Sequence, residues 1–444
     1  MGKITLGQAA KWCGGSVAPE FENIAFYGAN MDSRKLLPGQ IFVALEGVRD
    51  GHDFIGVAFE KGAAAVLCKH CPAGLPAIIV EDPRVALGKI AAGELDRIGM
   101  KKVGVTGSVG KSTTKEMIAC VLEGDYVVSK TPANFNNDLG MPMAILDMPE
   151  STQVAVLEMG MSHFGEIAYL SRIARPDVAV IINVGTMHME NLGSRAGILQ
   201  AKLEILEGMG PDGRLLLNGD NDMLQSWTPD REVGWFGEQD GSDVRAADVY
   251  QAPGLVRYTV HWKGEPFEIS LPLEGMHYVA DSLAAVSVGL HMGVSPERIA
   301  QRLAAFKTME GRQEIFQANG VTIIKDCYNA GPESMEAALL VLGRRGGKRI
   351  AVLGDMLELG ACAADAHRSV GAIAAQNADA VLAYGPLAHF VAEGAGAVCR
   401  IFDDQREMAK ALRQMTNPGD TLLFKGSHGM HMELVLEQYL KEEK

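Results

Sequence analysis

Val103-Gly-Val-Thr-Gly-Ser-Val-Gly-Lys-Ser-Thr-Thr-Lys115 carries an apolar run into a glycine-rich turn that ends at Lys111-Ser112 and opens a segment with helical spacing. In such a turn glycines let the backbone close on a polyphosphate, and consecutive amides and a helix N-terminus face the anion. A lysine reaches the β and γ phosphates and a hydroxyl ligates Mg²⁺. The spacing is a variant, because Gly104 stands further from Gly110 than the usual pattern asks and Gly107 is an extra glycine. Its context is right: Val103 and Val105 precede it in a strand pattern, and Met117, Ile118, Val121 and Leu122 follow at helical intervals. The expected substrate is ATP or GTP.

Around this loop lie 444 residues of ordinary apolar content, enough for roughly three domains at about 150 residues each. The net charge of −14 argues against a nucleic-acid-coating surface and against anionic membrane surfaces. No run reaches the length of a transmembrane span, and the N-terminus lacks the apolar core of a secretion signal, so the expectation is a cytoplasmic protein. Seven cysteines without regular spacing read as reduced thiols. Cys68-Lys-His-Cys71 has no second Cys/His pair to complete a zinc site, and none is expected.

Short apolar segments alternate with helix-like stretches throughout, which predicts an α/β protein of three domains. Residues 1–99 form a small α/β domain with strand candidates at Ile41-Phe-Val-Ala-Leu45 and Ala77-Ile-Ile-Val80. Residues 100–311 hold the loop, with near-continuous apolar strands at Val154-Ala-Val-Leu157, Val178-Ala-Val-Ile-Ile182 and Gly213-Arg-Leu-Leu-Leu217 that fit a buried parallel sheet. The more polar stretch from Trp227 to Leu273 reads as hairpins appended to it. Residues 312–444 repeat the α/β pattern at Val321–Ile324, Arg349–Leu353, Ala380–Ala383 and Thr421–Phe424, and are Rossmann-like.

Chemistry-bearing residues cluster where these strands end, the place ligands gather in open parallel sheets. Glu158 closes one strand and is either a Mg²⁺ ligand beside Ser112 or a helix-capping carboxylate. His188 follows Ile182-Asn-Val-Gly-Thr-Met, and Lys202 follows it; alone, each would read as structural or solvated. Arg34, in Asp32-Ser-Arg34, is a candidate phosphate fork with Ser33 as a second donor. Lys325-Asp-Cys-Tyr-Asn-Ala-Gly-Pro332 and Lys425-Gly-Ser427 combine charged, aromatic and amide groups after two further strands.

Together with Thr131-Pro-Ala-Asn-Phe-Asn-Asn-Asp-Leu-Gly-Met-Pro142, Glu158-Met-Gly-Met-Ser162, Tyr328-Asn-Ala-Gly-Pro-Glu-Ser-Met335 and Val352-Leu-Gly-Asp-Met-Leu-Glu-Leu-Gly360, these segments resemble the Mur ligase family over nearly the whole chain. The last two look like its dipeptide-adding branch. The resemblance implies an ATP-dependent amide ligase of peptidoglycan precursor synthesis, joining D-alanyl-D-alanine to a UDP-N-acetylmuramoyl-tripeptide and acting as a monomer. It implies an N-terminal UDP-substrate domain, a central ATPase domain and a C-terminal domain that closes over both. Carried over position by position, Gly107, Ser108, Val109, Gly110, Lys111, Ser112 and Thr113 hold the triphosphate. Asn183, His277, Asp281, Arg312, Asp326 and Tyr328 complete the ATP site. Ser33, Arg34, Asn134, Asn136, Asn137, Ser162, Asn329, Lys425 and Ser427 bind the other substrates. Lys111, Glu158, His188 and Lys202 are the implied catalytic set. Two Mg²⁺ ions are implied, the first on Ser112 and Glu158 and the second on His188 and Lys202, with Lys202 matching the family's carbamylated lysine. This chain departs from the common pattern at Val109 and Gly331, where Asn is frequent, at Ser112, where Thr is usual, and at His428, where Arg is common.

Rival readings fit less well. A tripeptide-forming relative would carry Asp-Asn-Pro-Arg, and a folylpolyglutamate synthase would lack the N-terminal Asp-Ser-Arg motif. A GTPase switch would show Asn-Lys-x-Asp, and a binding-only homologue would have lost part of the Lys111, Glu158, His188 and Lys202 set.

Overall fold

The computed structural model describes residues 4–441, which fold as three α/β units in chain order. In the first, Ala29–Asn30, Ile41–Val43, Ala65–Cys68 and Ala77–Ile79 form a parallel sheet. Its long helix, Pro83–Ile98, starts where Asp82 accepts the Arg84 and Val85 amides and stops at Gly99, whose positive φ of 71° suits a residue without Cβ. Apolar residues of this helix share one core with Ile145, Leu157, Ile167 and Ile181 of the second unit. The interface between the first two units is therefore hydrophobic. Gly28 donates to the Leu146 carbonyl across it, and Asp147 Oδ1 sits where a Gly28 Cβ would lie.

A nine-stranded sheet organises the second unit. Lys101–Thr106 lies between Val178–Ile181 and Val154–Glu158, all parallel, so the ends of both neighbours flank the loop that Thr106 leads into. Helix Lys111–Leu122 buries Met117, Ile118, Val121 and Leu122 against the sheet and helix His277–His291, each fully buried side chain contributing about 1.5–3 kcal/mol. Val233–Gly237 extends the parallel sheet, and Val244–Ala252, Leu255–Trp262 and Glu265–Leu271 run as the antiparallel ribbon expected of the polar stretch.

Six strands form the third sheet, in the order Glu314–Ala318, Val321–Asp326, Thr421–Lys425, Arg349–Gly354, Ala380–Tyr384 and Cys399–Phe402. All pair in parallel except the first, which makes a hairpin with Val321–Asp326. Asp326 is in register with Lys425, placing both at adjacent strand ends. In the second and third sheets, three strands had no counterpart among the sequence candidates: Val128–Lys130, Glu314–Ala318 and Cys399–Phe402. Each is a sheet edge with a half-exposed face, and an edge strand needs no continuous apolar run.

Candidate active site

Gly110 caps helix Lys111–Leu122 at a φ of 83°, and Asp281 Oδ1 lies 2.3 Å from where its Cβ would be, so backbone conformation and packing both require glycine. The loop is held from behind by Asn183, which continues the adjacent strand. Its Oδ1 accepts the Ser108 and Val109 amides at 2.9 and 3.0 Å, and its Nδ2 donates to the Val109 carbonyl at 3.1 Å. Ser108 Oγ in turn accepts the Gly185 amide at 2.9 Å. Lys111 curls over its own loop, donating to the Gly107 and Ser108 carbonyls at 2.8 and 3.2 Å. Burial lowers the pKa of its ammonium, the Glu158 charge opposes that shift, and Arg312 adds to it.

Glu158 ends its strand 2% exposed. Oε1 accepts from Asn136 Nδ2 at 2.8 Å, while Oε2 is buried with no hydrogen-bond partner among the described residues, 3.5 Å from Lys115 Nζ. Lys115 is itself buried and donates to the Thr131 carbonyl at 2.7 Å. Ser112 Oγ accepts from Arg312 Nη2 at 2.9 Å, and the Arg312 guanidinium stacks 4.0 Å over the Tyr328 ring. His188 takes a left-handed φ of 64°, rare for a residue with a Cβ, and its Nδ1 lies 2.8 Å from Glu358 Oε2. That contact lowers the Glu358 carboxyl pKa. Lys202 is 1% exposed and pairs with no carboxylate among the described residues; burial first, then repulsion from Lys111, drives its pKa well below the usual lysine range.

The far wall comes from the third unit. Lys425 Nζ donates to Asp326 Oδ2 at 2.5 Å and to the Asn329 carbonyl at 3.0 Å. Burial pushes the His277 imidazole down to about 4 and the Asp281 carboxyl up to about 8, the latter opposed by its hydrogen bond from Thr114. One cavity of about 1160 Å³ joins these walls. Helix Pro83–Ile98 contributes Arg84 and Val85 to its rim, so all three units line it.

Most of the expected residues reach this cavity: Ser108 to Thr113, Glu158, Asn183, His188, His277, Asp281, Arg312, Asp326, Tyr328, Asn134, Asn136, Asn137, Ser162, Asn329 and Lys425. Gly107, Lys202 and Ser427 sit behind the lining, where Ser427 Oγ bonds the Leu357 amide and the Ala330 carbonyl. Asn137 lines the cavity but spends its side-chain oxygen on the Leu139 and Gly140 amides. Ser33 and Arg34 do not line it and lie in the first unit, apart from the three asparagines. Arg34 instead folds onto Asp32 in its own turn, with contacts of 2.9 and 2.8 Å. Sequence reading passed over Lys115, Glu333 and Glu358. Lys115 had a signal, one helical turn beyond Lys111 on the same face. Glu333 and Glu358 lay inside quoted motifs without a partner to give them meaning.

Residues 105–289 match the Mur ligase middle domain and residues 311–428 the Mur ligase glutamate ligase domain. The UDP-N-acetylmuramoyl-tripeptide–D-alanyl-D-alanine ligase of Bacillus subtilis is 40% identical over 99% of both chains. The chain belongs to the Mur ligase family. Among solved Mur ligases, MurF of Acinetobacter baumannii superposes with a TM-score of 0.92 at 32% identity, covering 100% of each chain. MurF ligase of Thermotoga maritima in complex with ADP gives 0.86 at 32% identity, over 94% of this chain and 97% of that one. No helix among the described residues of this Mur ligase is long and apolar enough to cross a membrane.

Proposed function

We propose that this protein is the ATP-dependent ligase that joins D-alanyl-D-alanine to UDP-N-acetylmuramoyl-tripeptide, releasing ADP and phosphate, as a cytoplasmic monomer in peptidoglycan precursor synthesis. The observation that carries the reading is the single cavity, which has a phosphate loop on one wall and charged groups of the third unit on the other. Full-length similarity to ligases named for these substrates supports the choice of acid and amine.

The tripeptide carboxylate attacks the γ phosphorus of ATP, forming an acyl phosphate and expelling ADP. The loop amides, Lys111 and Arg312 offset charge building on the phosphate oxygens. The dipeptide amine then attacks the acyl carbon, and phosphate leaves. Water would hydrolyse the acyl phosphate, and enclosure by three units limits its access.

The donor set fits Mg²⁺. Glu158 offers a buried, unpartnered oxygen and Ser112 a hydroxyl, and among the described residues no three His, Cys, Asp or Glu side chains converge as a cage. Mg²⁺ takes few protein ligands and keeps phosphate and water oxygens, so a sparse set suffices. Bound there, it would neutralise phosphate charge. His188 and Lys202 would serve a second ion. Burial and the Lys111 charge favour the neutral amine of Lys202, the form that captures CO₂ as a carbamate, and that change turns a repelling cation into an oxygen donor.

The test is phosphate release with ATP, Mg²⁺, bicarbonate and UDP-N-acetylmuramoyl-tripeptide, with and without D-alanyl-D-alanine. Release that needs both substrates, with the dipeptide mass gained by the nucleotide product, is expected; sustained release without the dipeptide overturns the reading. Lys202→Ala should lose activity in the same assay, and an unchanged rate would remove the carbamate from the account.

A further inference from the structure

The dipeptide amine is an ammonium at neutral pH and must lose a proton before it can attack. It therefore needs an anionic group free to receive it. Among the described residues, six of the seven carboxylates that line the cavity have partners. Glu158 bonds Asn136 and faces Lys115; Asp326 pairs with Lys425, and Asp138 with Arg84. Glu358 lies against His188, and Glu166 accepts the Ser162 and His163 amides. Asp281 bonds Thr114 and, with a pKa pushed up to about 8 by burial, is mostly protonated at neutral pH.

Of these, Glu333 shares an unpartnered Oε2 with Glu158 alone, and the Glu158 oxygen faces Lys115 and stands at the Mg²⁺ position. Glu333 stands in the first turn of helix Pro332–Gly343 and lines the cavity from the third unit. Its Oε1 is fixed by the Thr186 amide at 2.8 Å and the Thr186 hydroxyl at 3.0 Å, across the boundary with the second unit. Its Oε2 is buried and has no hydrogen-bond partner among the described residues. Gly185 leaves room for the carboxylate, since a Cβ there would lie 2.6 Å from Oε1. Arg195 is within electrostatic reach, but its guanidinium is held by Asp222 and the Val184 carbonyl.

We infer that Glu333 is a catalytic residue whose Oε2 binds the attacking ammonium of the dipeptide and takes its first proton. This inference rests on the ligase reading above. In the step, the ammonium gives one proton to Glu333 and the nitrogen lone pair forms the C–N bond. The acyl C–O bond breaks with its electron pair leaving on phosphate, and phosphate carries off the second proton. Glu333 returns its proton to water once the amide departs.

The test compares wild type with Glu333→Gln, which keeps an acceptor for Thr186 and removes the charge. Two amines are supplied separately: D-alanyl-D-alanine, and hydroxylamine, which is largely unprotonated at neutral pH and captures acyl phosphate without a base. The expected result is a fall in kcat/KM for the dipeptide on the order of 10²-fold, with hydroxamate formation and the KM for ATP unchanged. Unchanged dipeptide kinetics overturn the proposal. So does an equal loss of hydroxamate, which would make Glu333 a structural tie between the units. The ligase reading is judged separately, on whether wild type forms the amide at all.

Discussion

Asp281 shows how a buried charge position links site and stability. It packs beneath Gly110, bonds Thr114, and has its pKa raised by burial from 3.8 to about 8. The folded state therefore holds a proton that the unfolded chain releases, so this group's contribution is fully present below pH 3.8 and is lost as pH rises through about 8. Asp281→Asn keeps the shape and removes the titration. The melting temperature of the variant relative to wild type, both without nucleotide, should climb steadily between about pH 4 and pH 8. A difference that stays flat across that window would show that Asp281 is already ionised in the fold.

Gly360 makes the corresponding argument at the level of elements. It opens a short turn in the third unit at a φ of 53°, and a Cβ there would lie 2.9 Å from the Glu190 Cα in helix Met189–Leu192. That helix begins immediately after His188, so the turn and the His188–Glu358 contact are parts of one seam. Gly360→Ala should push the seam apart and lower kcat on the order of 10²-fold, leaving the KM for ATP near wild type, because the loop wall is untouched. Steady-state kinetics check this, and an unchanged kcat would mean the seam is not closed during turnover. The seam was not legible in the sequence. Gly107 to Thr113 announced themselves through glycine spacing between a strand and a helix, whereas Glu333 and Glu358 acquire meaning only from partners over a hundred residues away. Arg34, whose motif suggests an anion fork, bonds Asp32 within its own turn.

At the scale of the whole molecule, periodicity made the α/β class and the central strands readable, because buried parallel strands must be apolar on both faces. Three edge strands of the second and third sheets escaped, since half-exposed positions lack that signal. Bringing the three units around one cavity depends on contacts that no local pattern encodes: the shared core of the first two units, and the Glu333–Thr186 and His188–Glu358 contacts of the last two. The central claim is that this cavity brings the γ phosphate and the tripeptide carboxylate together so that they form an acyl phosphate. The most direct test supplies UDP-N-acetylmuramoyl-tripeptide labelled with ¹⁸O in its terminal carboxylate, together with ATP and D-alanyl-D-alanine, and reads the released phosphate by mass. The account predicts one ¹⁸O in each phosphate released. Unlabelled phosphate, formed alongside the amide, would contradict it.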